Sequence, residues 1–271
     1  MTLSLRLGGH QFLPEDRLRV SPSPNQGGPI SPAYLVLHYT AGRSLESSVA
    51  HFARRESQAS AHLLVGRDGR VVQMVPFDRA AWHAGRSAWK DVQGLNQHSI
   101  GIELDNAGRL ARSADGDFRA WFQGVYRAAD VVTARHRHEQ VEAYWHAYTD
   151  AQVDAVLEIA TVLVRTYQLK EILGHDDIAP GRKSDPGPAF PMESLRAAVF
   201  GRNDDAPERC TVTASLLNLR SGPGRAHPIV AQLARAVTLD LLERREGWAR
   251  VAVPGRDLRG WVSSDYIASI G

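Results

Sequence analysis

The sequence predicts an α/β protein with a mixed central sheet flanked by helices, followed by a small all-β barrel. Three observations carry this. Between residues 34 and 200, apolar runs of strand length alternate with longer amphipathic stretches, the pattern of a sheet covered by helices. Past residue 210 only short apolar runs remain, separated by turn residues, as in a small barrel. Between them, residues 201–209 (Gly-Arg-Asn-Asp-Asp-Ala-Pro-Glu-Arg) are polar and follow neither period, as a linker does. The 271 residues, 43% hydrophobic and 23% charged, are enough for two cores and exclude a disordered chain.

Residues 1–33 form a polar lead, and Ser21-Pro-Ser-Pro-Asn-Gln-Gly-Gly-Pro29 should hold no regular structure, because Pro lacks a donor and Gly costs entropy. This lead is expected as an arm lying over the domain. Tyr34-Leu-Val-Leu-His38 is a short apolar run and predicts a buried strand. Ser44 caps a helix to about Arg55. His62–Val65 and Val71–Val75 flank Asp68-Gly69, a hairpin signal. Ser99–Leu104 alternates like another strand. Residues 107–148 read as an insertion, partly helical around Phe118–Val132. Thr149-Asp-Ala-Gln152 matches a capping box. The helix behind it places Val153, Val156, Leu157, Ala160, Leu163, Val164 and Tyr167 on one face. Ile172-Leu173 is a short strand, and Pro191 opens a last helix ending near Phe200. The α/β domain is therefore expected at 34–200 and the barrel at 210–271.

The formal charge of +2 is spread without a basic run interleaved with aromatics, so nucleic acid is not an expected partner. No run of about 18 apolar residues predicts a membrane-spanning helix. The first ten residues lack the charged-then-apolar layout of a signal peptide. Cys210 is the single cysteine, so an internal disulfide and a cysteine-rich zinc site are both excluded. Any metal must be held by carboxylates and the 11 histidines.

His38 ends the first strand of the domain, and His175 follows the last short one, in Gly174-His-Asp-Asp-Ile-Ala-Pro180. Asp185 lies ten residues further on. Two His and a carboxylate can be three zinc ligands with a fourth position open. Spacing alone leaves each His open as a cap or core residue, and Asp185 before Pro as a turn residue.

Several segments together resemble the zinc-dependent N-acetylmuramoyl-L-alanine amidases of the amidase-2 group, which share their fold with peptidoglycan recognition proteins and phage lysozyme-type amidases. They are Leu37-His-Tyr-Thr-Ala41, Ser60-Ala-His-Leu-Leu-Val-Gly-Arg-Asp-Gly69, Ala81-Trp-His-Ala-Gly85, Asn96-Gln-His-Ser-Ile-Gly-Ile-Glu103 and Gly174–Lys183 with Asp185-Pro-Gly-Pro-Ala-Phe190. They run collinearly over about 34–200. The resemblance implies His38, His175 and Asp185 as Zn²⁺ ligands, below a groove for glycan and stem peptide. The implied reaction is hydrolysis of the amide between N-acetylmuramic acid and L-alanine, on peptidoglycan or a muropeptide. A non-catalytic peptidoglycan-binding protein is the alternative, and the complete ligand set argues against it. Relatives of the phage and animal type carry a tyrosine just before the residue matching His62. This chain has Ala61, so the resemblance places the proton carrier at Glu103.

Glu103 lies late on a buried strand, where loss of solvent raises a carboxyl pKa. Lys183, two residues before Asp185, would point the same way on an extended segment and steady an oxyanion. Only Lys90, Lys170 and Lys183 are lysines among 32 basic residues. Trp82, His83 and Asn96 are candidate substrate contacts, as is His62, which reads equally as a core histidine or a groove residue. His51, His98, His136, His138 and His146 are read as non-ligands, the 136–138 pair as lying away from the ligand strands. The tail resembles a bacterial SH3-like domain through Leu217-Asn-Leu-Arg-Ser-Gly-Pro-Gly224, Gly247-Trp-Ala-Arg-Val251 and Gly260-Trp-Val262. Cell-wall targeting is the function this resemblance implies, with Trp248 and Trp261 in the core. A periplasmic or extracellular wall compartment fits such a substrate better than the cytoplasm.

Overall fold

The computed structural model describes residues 5–201, 209–254, 256 and 258–270; most of the expected 201–209 linker lies outside them. Chain contacts divide the protein into two units, Met1–Phe190 and Pro191–Gly271.

The first unit is built on a six-stranded mixed sheet. Its strands are β1 (Leu18–Val20), β2 (Tyr34–Tyr39), β3 (Leu63–Val65), β4 (Val71–Gln73), β5 (Ser99–Leu104) and β6 (Glu171–Gly174), in spatial order β6-β2-β5-β3-β4-β1. The β6-β2, β2-β5, β5-β3 and β4-β1 pairs are parallel and β3-β4 is antiparallel. Central parallel strands are covered on both faces, and Leu35, Val36, Leu37, Ile100 and Ile102 are accordingly fully buried. The β3-β4 hairpin closes as expected, with Gly69 at φ +76° and Gly66 N–H donating to Arg70 O at 2.8 Å.

Helix α1 (Leu45–Phe52) starts at Ser44 through a reciprocal cap with Ser47. A separate single turn, Arg55–Ser57, follows it. Helix α2 (Asp150–Tyr167) is capped by Thr149 and Gln152, as its sequence predicts. Its buried stripe is Gln152, Ala155, Val156, Ile159, Ala160 and Leu163, turned slightly from the expected face. Val153, Leu157, Val164 and Tyr167 are only half-buried. Gln152 causes the turn: its amide donates to Asp105 O at 3.0 Å and Val65 O at 3.4 Å, pinning the helix start to two strand ends.

Two expectations are corrected. The lead is part of the sheet, since β1 forms its edge, and Gln26–Pro29 pairs irregularly with Arg79–Ala81. Pro and Gly are tolerated there because an edge ribbon needs fewer donors. The insertion is not helical around Phe118–Val132. It is a five-stranded antiparallel sheet of Val125–Tyr126, Phe118–Arg119, Arg109–Arg112, Glu142–His146 and Val131–Arg135, in that spatial order. Aromatic and β-branched residues favour strands here, and one short turn, Ala128–Asp130, is the helical content.

The second unit opens with helix Met192–Phe200, which falls here rather than with the catalytic domain; Ser194 Oγ donates to Leu242 O at 3.2 Å. Seven antiparallel strands follow, including the five expected runs and adding Arg209–Val212 and Ile267–Ile270. They surround a core of Cys210, Val212, Leu217, Leu219, Leu239, Val251 and their neighbours. Trp261 is buried and Trp248 half-buried. No described helix is long and apolar enough to cross a membrane.

Candidate active site

Parallel register assembles the site. His38 on β2 pairs directly with Glu103 on β5, and directly paired residues point to the same face. Gly174, the last residue of β6, pairs with Leu37, so His175 emerges beside His38. The chain then loops back: Asp176 N–H donates to Asp185 O at 2.9 Å, and Lys183 N–H to Ala179 O at 3.0 Å. Tyr148 O–H donates to Pro186 O at 2.8 Å and holds the far side of that loop.

His38 Nδ1, His175 Nδ1 and Asp185 Oδ2 lie 2.9 Å from one another, all buried. Their outer nitrogens are committed elsewhere. Ser99 O–H donates to Leu95 O at 2.6 Å, so its oxygen accepts from His83 Nε2 at 3.3 Å. His83 Nδ1 is then the acceptor for His38 Nε2–H at 2.9 Å. His175 Nε2–H donates to Ala84 O at 3.1 Å. Both Nδ1 lone pairs therefore face the Asp185 carboxylate. Burial, with the neighbouring His175, pushes His38 down to about 4 and keeps it neutral. Burial and the adjacent imidazoles push His83 well below its usual range. Two lone pairs and a carboxylate converging on one point are a cation's donor set, oriented by outer partners in the way metal-bound histidines require. The residues fit a divalent ion such as zinc.

Glu103 sits beside this set with its Oε2 buried and without a hydrogen-bond partner. Burial, and then the charge of Asp185, push it up to about 8, against the pull of Lys183. The site floors an open groove of about 540 Å³ whose wall includes Trp82, Trp121, Lys183 and Ser184. Lys183 is exposed, and its side chain makes no ion pair among the described residues.

The candidate contacts sort differently from expectation. Trp82 lines the groove. His83 reaches it too, but its ring is spent on orienting His38. Gly101 makes room for that ring, since a Cβ there would lie 2.4 Å from it. Asn96 is not a groove residue: its Oδ1 accepts from His83 N–H and Ala84 N–H at 3.1 and 2.7 Å, fixing the loop. His62 is corrected to a core residue, fully buried, with Nε2 on Arg79 O and Nδ1 on Gly101 N–H, both at 2.9 Å. The expectation that His136 and His138 lie apart is also corrected. His136 Nε2 bonds Asp176 Oδ2 at 3.0 Å, and His138 Nε2 meets Asp176 O at 3.3 Å, so the insertion braces the turn that carries His175. Sequence reasoning missed Ser99, Gly101 and Trp121; the Ser-x-Gly-x-Glu alternation on one strand face is the signal that could have found the first two.

The fold and the site together define a class: an α/β domain with a candidate single-metal centre at the carboxyl ends of its parallel strands. A family model described as N-acetylmuramoyl-L-alanine amidase matches residues 27–188, and one described as bacterial SH3 domain matches residues 215–268. The chain belongs to the N-acetylmuramoyl-L-alanine amidase family of the amidase-2 group. N-acetylmuramoyl-L-alanine amidase AmiD of Escherichia coli (strain K12) is 34% identical over 205 residues, covering 68% of this chain and 63% of that protein. The 1,6-anhydro-N-acetylmuramyl-L-alanine amidase AmpD of the same strain is 36% identical over 144 residues, covering 52% of this chain and 59% of that protein. A solved complex of AmiD from E. coli with anhydro-N-acetylmuramic acid-L-Ala-D-gamma-Glu-L-Lys is 30% identical, with a TM-score of 0.46, covering 72% of this chain and 65% of that one. The chain thus spans about three fifths of the length of the curated relatives it matches.

Proposed function

We propose that the protein hydrolyses the amide joining the lactyl group of N-acetylmuramic acid to L-alanine of the peptidoglycan stem peptide, using one zinc ion held by His38, His175 and Asp185. The observation that carries this reading is the buried His–His–Asp set beside Glu103, whose buried oxygen has no partner, on the floor of an open groove. Zinc in that set would supply a water of lowered pKa and a polarised scissile carbonyl. Glu103 takes the proton of the attacking water and hands it to the departing alanine nitrogen; a carboxyl raised by burial suits both halves of that task. Lys183, on the groove wall, places its cation toward the oxygen that gains charge. Trp82 contacts the substrate, while His83, Asn96 and His62 act by holding the site. The unit ending at Phe190 carries the chemistry, and the SH3-like strands of the second unit bring it to the wall, in a periplasmic or extracellular compartment.

Mass spectrometry of products from whole sacculi and from soluble anhydro-muropeptides tests this. Cleavage is expected to release free stem peptide beginning at L-alanine and to leave muramic acid with its lactyl carboxylate. Products cut elsewhere, or intact substrate bound without turnover, would contradict it.

A further inference from the structure

Trp121 is 75% exposed, the most exposed large apolar side chain among the described residues. It is carried by the insertion, yet it lines the same groove as Glu103, His175 and Asp185, with Thr40, Ala41 and Gly42. Its one polar atom is used: the indole N–H donates to Ala41 O at 2.8 Å, three residues past His38. Phe122 stands edge-on to it at 5.7 Å and 84°, and is itself 8% exposed, set in the core of the insertion and capped by the Arg43 guanidinium 5.2 Å above its ring. The ring is therefore positioned but not buried. A tryptophan serving only as an anchor would be covered, whereas an oriented, open indole face in a groove is an apolar surface awaiting a flat ligand.

We propose that Trp121 is a saccharide-stacking wall of this groove, receiving the C–H face of a pyranose of the glycan. The inference rests on the amide-hydrolysis reading for its substrate. In that substrate the scissile carbonyl is tied to the sugar by a short lactyl ether, so a pyranose must lie against a wall close to His38. Trp121 offers an apolar face there with no free donor, which suits the C–H face of a sugar and not the charged groups of the stem peptide. Arg182 lines the same groove and is the cationic side chain suited to those carboxylates, with Lys183 kept for the oxyanion.

The test compares Trp121→Ala and Trp121→Phe on two substrates: an N-acetylglucosaminyl-N-acetylmuramoyl tripeptide, and a lactyl tripeptide that has the same amide but no sugar. Trp121→Ala should lower kcat/KM on the first by about tenfold or more and on the second by less than about twofold. Zinc content and melting temperature should be unchanged. Trp121→Phe keeps a flat face but loses the bond to Ala41, so its loss should be clearly smaller. Equal losses on both substrates, no loss on either, or Phe as impaired as Ala would overturn the proposal, the last because it marks the Ala41 tie as the whole role. If the wild-type chain cleaves neither amide, the amidase reading fails, and binding of the free N-acetylglucosaminyl-N-acetylmuramic acid disaccharide by calorimetry decides this one. Binding lost in Trp121→Ala supports it; binding absent in the wild type, or equal in both, overturns it.

Discussion

The two units bury different things. In the first, His38, His83, Glu103, His175 and Asp185 are all buried within one small region. In the second, the buried positions are apolar apart from Arg250, among the described residues. Burying an ionisable group costs free energy unless something compensates it. A fold that collects five of them in one place has a compensating ion or a reaction to perform. Among the described residues the seven-stranded unit has no such collection.

The sharpest way to break this contrast is His175→Ala. The account expects loss of stoichiometric zinc by metal analysis. It expects hydrolysis to fall by at least about a thousandfold, beyond the 10- to 100-fold typical of an outer partner. Glu103→Gln comes next: turnover should fall by about 10²–10⁴ with zinc retained, as for loss of a general base. The same variant gives a pH signature in the metal-free protein. Glu103 is raised from 4.5 to about 8, so the folded chain keeps a proton that the unfolded chain releases. Its contribution is full below about 4.5 and is lost as pH rises through 8. Thermal melts should therefore show Glu103→Gln gaining on the wild type from pH 5 to 8 and levelling beyond; a constant gap would remove the buried-carboxyl argument.

Lys183→Arg is expected to be milder. Charge is kept, but a planar guanidinium cannot take the place of a compact ammonium beside a developing oxyanion. kcat/KM for a muramoyl tripeptide should drop by about tenfold or more at unchanged zinc loading, whereas near wild-type turnover would return Lys183 to a solvated rim. The smallest effect on chemistry should come from the other unit. Leu219→Ala removes a fully buried side chain and should destabilise that unit by about 2–5 kcal/mol in denaturant unfolding. Hydrolysis of a soluble muropeptide should not change, and a parallel loss of turnover would erase the contrast.

How much of this was legible follows from what each residue depends on. Strands β2, β3, β4 and β5 and the caps of α1 and α2 were readable, because a short apolar run, a Gly turn or a capping pair acts locally. The adjacency of His38 and Glu103 was not, since it arises from parallel register between strands far apart in the chain. His62 follows Ala61 and His83 follows Trp82, and neither neighbourhood says what the ring nitrogens bond. Only the partners of their ring nitrogens separate a core strut from the orienter of His38. The insertion misled because its short strands lack a clean period, and the lead because an edge ribbon tolerates Pro and Gly that an interior strand would not.

The central claim is that three side chains of the first unit hold one zinc ion on which hydrolysis depends. Adding Zn²⁺ stepwise to the chelated protein, and measuring the tripeptide released from a muramoyl tripeptide, tests it most directly. The account predicts no release without metal and a rise that saturates at one zinc per chain. Full release from the metal-free protein would contradict it.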